Sequence, residues 1–129
     1  ADVRVAVIGL DNMEAATMTT IENVTDLCFR DPVEEFKSIY PEMKSKADVI
    51  VLMIHDGNTD KEFGLTKLLE AIQSWNPDAV DAVVGGHTHF VNQENKGGVP
   101  ITQSGANGER FGRINLIFDM KTKKVVRNK

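Results

Sequence analysis

The chain has 129 residues, 41% of them hydrophobic and 26% charged, the size and make-up of one globular core, with a formal net charge of -4 at pH 7. Lysines and arginines are scattered, so no basic stripe exists to neutralise a nucleic-acid duplex, and no run approaches the ~18 apolar residues of a membrane-spanning helix. A single cysteine, Cys28, excludes an internal disulfide framework and a Cys/His zinc cluster.

In chain order, Val3 to Leu10 is a short apolar run closed by Gly9 and Asp11-Asn12, which predicts a buried strand. An irregular stretch follows to Arg30, within which Cys28, between Leu27 and Phe29, reads as a buried structural thiol. Asp31-Pro32-Val33-Glu34 places an N-cap, a proline at the first helical position and an acid three residues after the cap, a helix start. Phe36, Ile39 and Tyr40 give that helix its apolar face. Pro41 should interrupt or kink it, with Glu42 to Lys46 continuing as a second short turn.

Val49 to Ile54 is six consecutive apolar residues, the pattern of a central strand covered on both faces. Lys61 to Trp75 carries Phe63, Leu65, Leu68, Leu69, Ile72 and Trp75 at helical spacing and stops before Asn76-Pro77. Ala79 to Val84 predicts a third strand, ended by Gly85-Gly86. Strands alternating with helices imply parallel crossovers in an α/β sandwich. Beyond His89, glycines punctuate short stretches, Val99 to Gln103 and Arg113 to Asp119, that read as antiparallel strands. Met120 to Lys124 turns a last hairpin with Val125-Val126 as its return. The basic cluster Lys121, Lys123, Lys124, Arg127 and Lys129 reads as this solvated hairpin and tail.

All three histidines of the chain lie just past the two most apolar strands: His55 after one, His87 and His89 after the other. In open α/β sheets ligands bind outside the carboxyl ends of strands, so the three should converge on one crevice. Gly85-Gly86 would let the backbone bend sharply there and approach an ion or phosphate closely. A lone histidine at a strand end is usually just hydrogen-bonded, whereas three together point toward a first-row transition metal. From spacing alone, a mononuclear three-histidine zinc site with one open position for water is one reading.

The segment Gly85-Gly86-His87-Thr88-His89 resembles the terminal glycine-histidine-any-histidine motif of calcineurin-like metallophosphoesterases. Further segments resemble the 5'-nucleotidase branch of that family, in order along nearly the whole chain. They are Ala6 to Leu10, Glu22 to Leu27 with Phe29 to Pro32, Ala47 to Val51 leading to His55-Asp56-Gly57, Pro100 to Gly108, and Gly112-Arg113-Ile114. The resemblance implies the C-terminal half of a four-layer αββα metallophosphoesterase domain with a mixed sheet, spanning residues 1–129. It implies a two-metal site of the Zn, Mn, Fe or Co class that hydrolyses phosphate esters of a small-molecule nucleotide. It assigns His55 and His87 to one metal and His89 to the other, and places the loop of Asn107 and Arg110 beside the active site, where Asn107 either donates to a substrate oxygen or forms the turn before Gly108. Asp56 itself reads as either a partner orienting an imidazole or a solvated loop carboxylate. The family's Asp-x-His, bridging aspartate and Asn-His segments have no counterpart here, so the catalytic histidine is expected upstream. Ala1 in place of Met agrees with a boundary inside a longer protein, whose family members are exported, periplasmic or surface-attached. The chain alone should then be inactive and could self-associate through an uncovered sheet. The alternative is a non-catalytic metal- or ligand-binding module derived from the same fold.

Overall fold

The computed structural model describes residues 2–59 and 64–126. The first apolar run forms β1 (Val5–Leu10) and the run after Asp48 forms β2 (Val49–Ile54), parallel and in register from Val5 opposite Val49 to Leu10 opposite Ile54. β3 (Ala82–Gly85) lies parallel to β2, and β5 (Val99–Ser104) parallel to β3. β4 (Val91–Lys96) closes the edge antiparallel to β5. The five-stranded order β1-β2-β3-β5-β4 is the mixed α/β sheet that the sequence predicts. The predicted third strand starts later than expected. Ala79–Asp81 are a buried lead-in, where the Asp81 N–H donates to the Ile50 carbonyl (2.8 Å) and its carboxylate accepts from the Ile50 N–H (2.9 Å).

Two helices cover one face. In α2 (Pro32–Lys46) the Asp31 carboxylate caps the N-terminus, accepting from the N–H groups of Val33 (2.9 Å) and Glu34 (3.0 Å), as its sequence signature requires. Asp31→Ala is expected to cost about 1 kcal/mol in urea unfolding; an unchanged midpoint would show that the cap contributes nothing. Pro41 does not end the helix. It sits on an exposed position, where water can take the carbonyl that its missing N–H releases. α3 (Gly64–Trp75) buries Leu65, Leu68, Leu69 and Ile72; the predicted start at Lys61 and the apolar position Phe63 lie outside the described residues. These side chains and Phe36 pack on Ile8, Ile50, Leu52, Ile54, Val83 and Ile101, while Tyr40 and Trp75 meet edge to face across the two helices at 5.4 Å.

The other face is open in part. β2 is interior but β3 takes the middle, and the run expected to be covered on both faces leaves Met53 51% exposed beside Val5 and Val7 at 56% and 58%. Residues 113–117, expected as a strand, keep alternating exposure but have no ladder partner. They cross this face instead, with Ile114 and Leu116 beside Val51 and Val84. Only β6 (Phe118–Asp119) pairs, with β7 (Lys124–Val125), in the predicted last hairpin. Of its basic cluster, Lys121, Lys123 and Lys124 are exposed, and Arg127 and Lys129 lie outside the described residues.

The stretch before α2 holds one short helix, α1 (Ala15–Met18), and a 3-10 turn at Ile21–Asn23. Cys28 is exposed there, against expectation, because no strand or helix carries its apolar neighbours inward; Leu27 is itself 57% exposed. β4 has no apolar signature because it is a polar edge strand. Gly97-Gly98, at φ 58° and 81°, form the two-residue connection to β5 that positive φ at both positions permits. β5 is thus antiparallel to β4, as expected of Val99 to Gln103, and parallel to β3.

Candidate metal centre

Parallel β2 and β3 deliver the loops at their carboxyl ends to the same edge of the sheet. His55 extends the ladder, its N–H donating to the Leu10 carbonyl at 3.1 Å. After β3 the chain turns abruptly: the Thr88 N–H donates to the Gly86 carbonyl (2.7 Å) around His87, whose φ is 64°. This is a three-residue γ-turn of the positive-φ hand, strained for a residue with a Cβ. The sharp bend expected of Gly85-Gly86 falls on the histidines instead, since His89 also has positive φ (61°) and neither glycine does. The result brings His55 Nε2 to 3.2 Å from His87 Nδ1, with ring centroids 4.9 Å apart. A cleft of about 510 Å³ opens beside His55, lined also by Leu10, Asp11, Met53 and Gly86.

His55 and His87 therefore meet. Among the described residues, no group of three or more His, Cys, Asp or Glu side chains is arranged to hold a metal ion, so no third such group completes the pair. His89 is exposed two residues further on. The Asp56 carboxylate accepts from the Gly57 N–H at 2.7 Å, the contact of a loop carboxylate. Asn107 is exposed at φ 58° ahead of Gly108 at φ 71°, a turn conformation. Arg110 lines a separate hollow on the β4–β5 side with Gln93, Thr102 and Phe111.

Beneath the histidines lies a polar layer that the sequence reading did not single out. Gln103 and Asn58 are 1% and 2% exposed. The Gln103 amide donates to Thr88 Oγ1 (2.5 Å) and accepts from the Asn58 N–H (3.1 Å), and Thr88 Oγ1 donates to the Asn58 carbonyl (2.9 Å). Asn58 Nδ2 in turn donates to Thr66 Oγ1 (2.8 Å) and Glu94 Oε1 (3.2 Å). The available signal was Gln103 sharing the helix-side register of apolar Ile101, a polar group aimed into a core. Among the described residues every buried side-chain nitrogen and oxygen has a partner.

Glu94 anchors the far end of this layer. Hydrogen bonds from Asn92 first, then from Thr66 and Asn58, hold its carboxyl below the ordinary value. A lowered folded value means that the stabilisation is present above the unfolded pKa and is lost as pH falls through the lowered one. Glu94→Ala should therefore lower the melting temperature at pH 7, and the gap from the parent chain should shrink as acid protonates Glu94 in both states. A gap that is constant down to acid conditions would remove the carboxylate from the account.

The paired nitrogens fit a metal ion. Two imidazoles on one tetrahedral ion, at about 2.0–2.1 Å each, stand roughly 3.3 Å apart, close to the 3.2 Å found here. Holding an ion would place the protons on His55 Nδ1 and His87 Nε2, replacing the proton that the two facing nitrogens now share as a hydrogen bond.

Fold and site define a mixed α/β protein with paired histidines at the carboxyl edge of a parallel sheet. No protein-family model matches the sequence. The silent protein UshA(0) of Salmonella typhimurium is 35% identical over an alignment of 92 residues, with 67% of this chain and 17% of that protein covered. A 5'-nucleotidase of Vibrio cholerae is 31% identical over an alignment of 97 residues, with 67% of this chain and 16% of that protein covered. A Staphylococcus aureus protein assigned as a 5'-nucleotidase, solved in complex with alpha-ketoglutarate, superposes with a TM-score of 0.78 at 26% identity, covering 98% of this chain and 26% of its own. The chain belongs to the 5'-nucleotidase family, and it spans about one sixth of the length of the curated relatives it matches.

Proposed function

We propose that this chain forms part of the active site of a metal-dependent phosphoesterase that hydrolyses nucleotide phosphate esters. The observation that supports this reading is the 3.2 Å approach of His55 Nε2 and His87 Nδ1 where parallel strands end. In the complete protein His55 and His87 would hold one divalent ion and His89 a second, of the Zn, Mn, Fe or Co class. When bound, the ions supply charge neutralisation at the phosphate and activation of water. The chain's own residues ligate through neutral imidazoles and offer Gly86 as backbone that a phosphate can approach. Asn107 and Arg110 are proposed substrate contacts, and an extracytoplasmic home belongs to the same reading.

The bridging carboxylate and catalytic histidine would come from elsewhere in the complete protein, as part of a metallophosphoesterase domain of which residues 1–129 are one portion. By itself the chain is then inactive and holds at most one ion, because two cations among neutral ligands repel with no anion between them. Exposed Val5, Val7 and Met53 are the surface through which the isolated chain would self-associate. The second reading, a binding module without catalysis, is favoured by one observation: two histidines meet and, among the described residues, no third ligand joins them.

Titrating the purified chain with Zn and Mn by calorimetry, and assaying AMP and a chromogenic phosphodiester beside the full-length gene product, tests both. One weak metal site in the chain, with turnover only in the full-length protein, is expected. Metal-dependent turnover by the chain at a comparable rate would overturn the shared-site reading, and metal binding without turnover in the full-length protein would favour the binding module.

A further inference from the structure

β5 lies between β3 and β4, so the five residues 86–90 must pass over the end of β5 to join them. This strap carries His87, Thr88 and His89. Gln103, one residue from the end of β5, stands opposite Gly85 of β3 on one side and Asn92 of β4 on the other, directly under the strap. Its two amide arms divide between the two histidine-bearing loops: Nε2 donates to Thr88 Oγ1, next to His87, and Oε1 accepts from the N–H of Asn58, three residues after His55. Thr88 Oγ1 donating to the Asn58 carbonyl closes the ring. A buried amide that only needed partners could take both from one loop.

We propose that Gln103 is a positioning residue that sets the separation of His55 Nε2 and His87 Nδ1 through Asn58 and Thr88. The His87 backbone, strained at φ 64°, needs such a restraint to hold its ring toward His55. Groups that support metal ligands from behind typically contribute 10–100-fold to affinity or activity. This inference rests on the metal-binding reading above for its functional meaning, but its geometry concerns side chains of this chain alone.

The test uses the full-length gene product with Gln103→Met, Gln103→Glu, Thr88→Val and Thr88→Ser. Cobalt(II) binding is followed by its visible absorption, and the His55 and His87 nitrogens are followed by long-range proton–nitrogen spectra of histidine-labelled, metal-free protein. Q103M is expected to weaken cobalt affinity by about tenfold or more and to change the absorption of the bound ion. T88V should match it within about twofold, T88S should restore what T88V loses, and Q103E, which keeps only the acceptor arm, should fall between. Because both residues act through one ring of contacts, the Q103M/T88V double variant should be no worse than either single one. A folded Q103M with unchanged affinity and absorption, or losses that simply add, would overturn the proposal. Should Q103M fail to fold, the T88V and T88S pair decides by the same criteria. If the parent protein binds no cobalt, the metal reading falls and the imidazole nitrogens decide: shifts moved by Q103M or T88V sustain positioning, and unmoved shifts overturn it.

Discussion

Replacing His87 by glycine is expected to stabilise the fold while removing one of the two proposed metal ligands. His87 sits at φ 64°, and a Cβ in that region costs of order 1–3 kcal/mol that glycine does not incur. Part of this is offset by glycine's greater freedom when unfolded, leaving a net gain of about 1 kcal/mol. His87→Ala keeps the Cβ and should gain nothing. If His87 ligates an ion as proposed, both variants lose that ligand, and metal-dependent activity of the full-length gene product should drop by more than the roughly 100-fold typical of mere supporting groups. Thermal melts beside phosphoesterase assays check the pair. Equal melting of the two variants would discard the strain, and retained activity would discard His87 as a ligand.

Gly57→Ala is expected to damage stability and site together. A Cβ there would stand 2.2 Å from Thr88 Oγ1, 2.4 Å from the Gly86 carbonyl oxygen and 2.7 Å from Gln103 Oε1. The Gly86 oxygen is backbone and cannot swing aside, so the strap must lift. Overpacking of this kind costs about 1–3 kcal/mol, and the lift would carry His87 away from His55. Gly9→Ala in β1, with nothing within 4 Å of the added carbon, is the control. Urea unfolding and zinc calorimetry of both variants provide the measurement; a Gly57→Ala chain as stable as Gly9→Ala would mean that the loops are not in contact as described.

The legible parts were those written in local chemistry. Asp31-Pro32 announced its helix because an N-cap needs only its own next three residues. His55 and His87 were placed at one edge because parallel strands deliver their ends together. What stayed hidden depends on partners distant in sequence. β4 reads as Val-Asn-Gln-Glu-Asn-Lys and has no apolar pattern, since its strand character comes from pairing with β5. Residues 113–117 alternate like a strand, yet what they meet is a sheet face and not an edge. Cys28 looked buried from its neighbours, which are themselves outside the core. Gln103, Thr88 and Asn58 are scattered over 45 positions and become one cluster only when β5 enters the sheet.

The place of β5 in the sheet ties the histidine pair to the hairpin that carries it. β1, β2 and β3 are neighbours in sequence order, so each can dock on its predecessor as the chain collapses. β5 lies between β3 and β4, joined to β4 as a hairpin around Gly97-Gly98. Until it docks, the strap has nothing to cross. Once it docks, five residues must reach over about 10 Å, two strand spacings. The contact between His55 and His87 therefore depends on the β4–β5 hairpin: a chain in which that hairpin is undocked has no strand end for the strap to cross and loses the Gln103 contacts that join the two histidine-bearing loops.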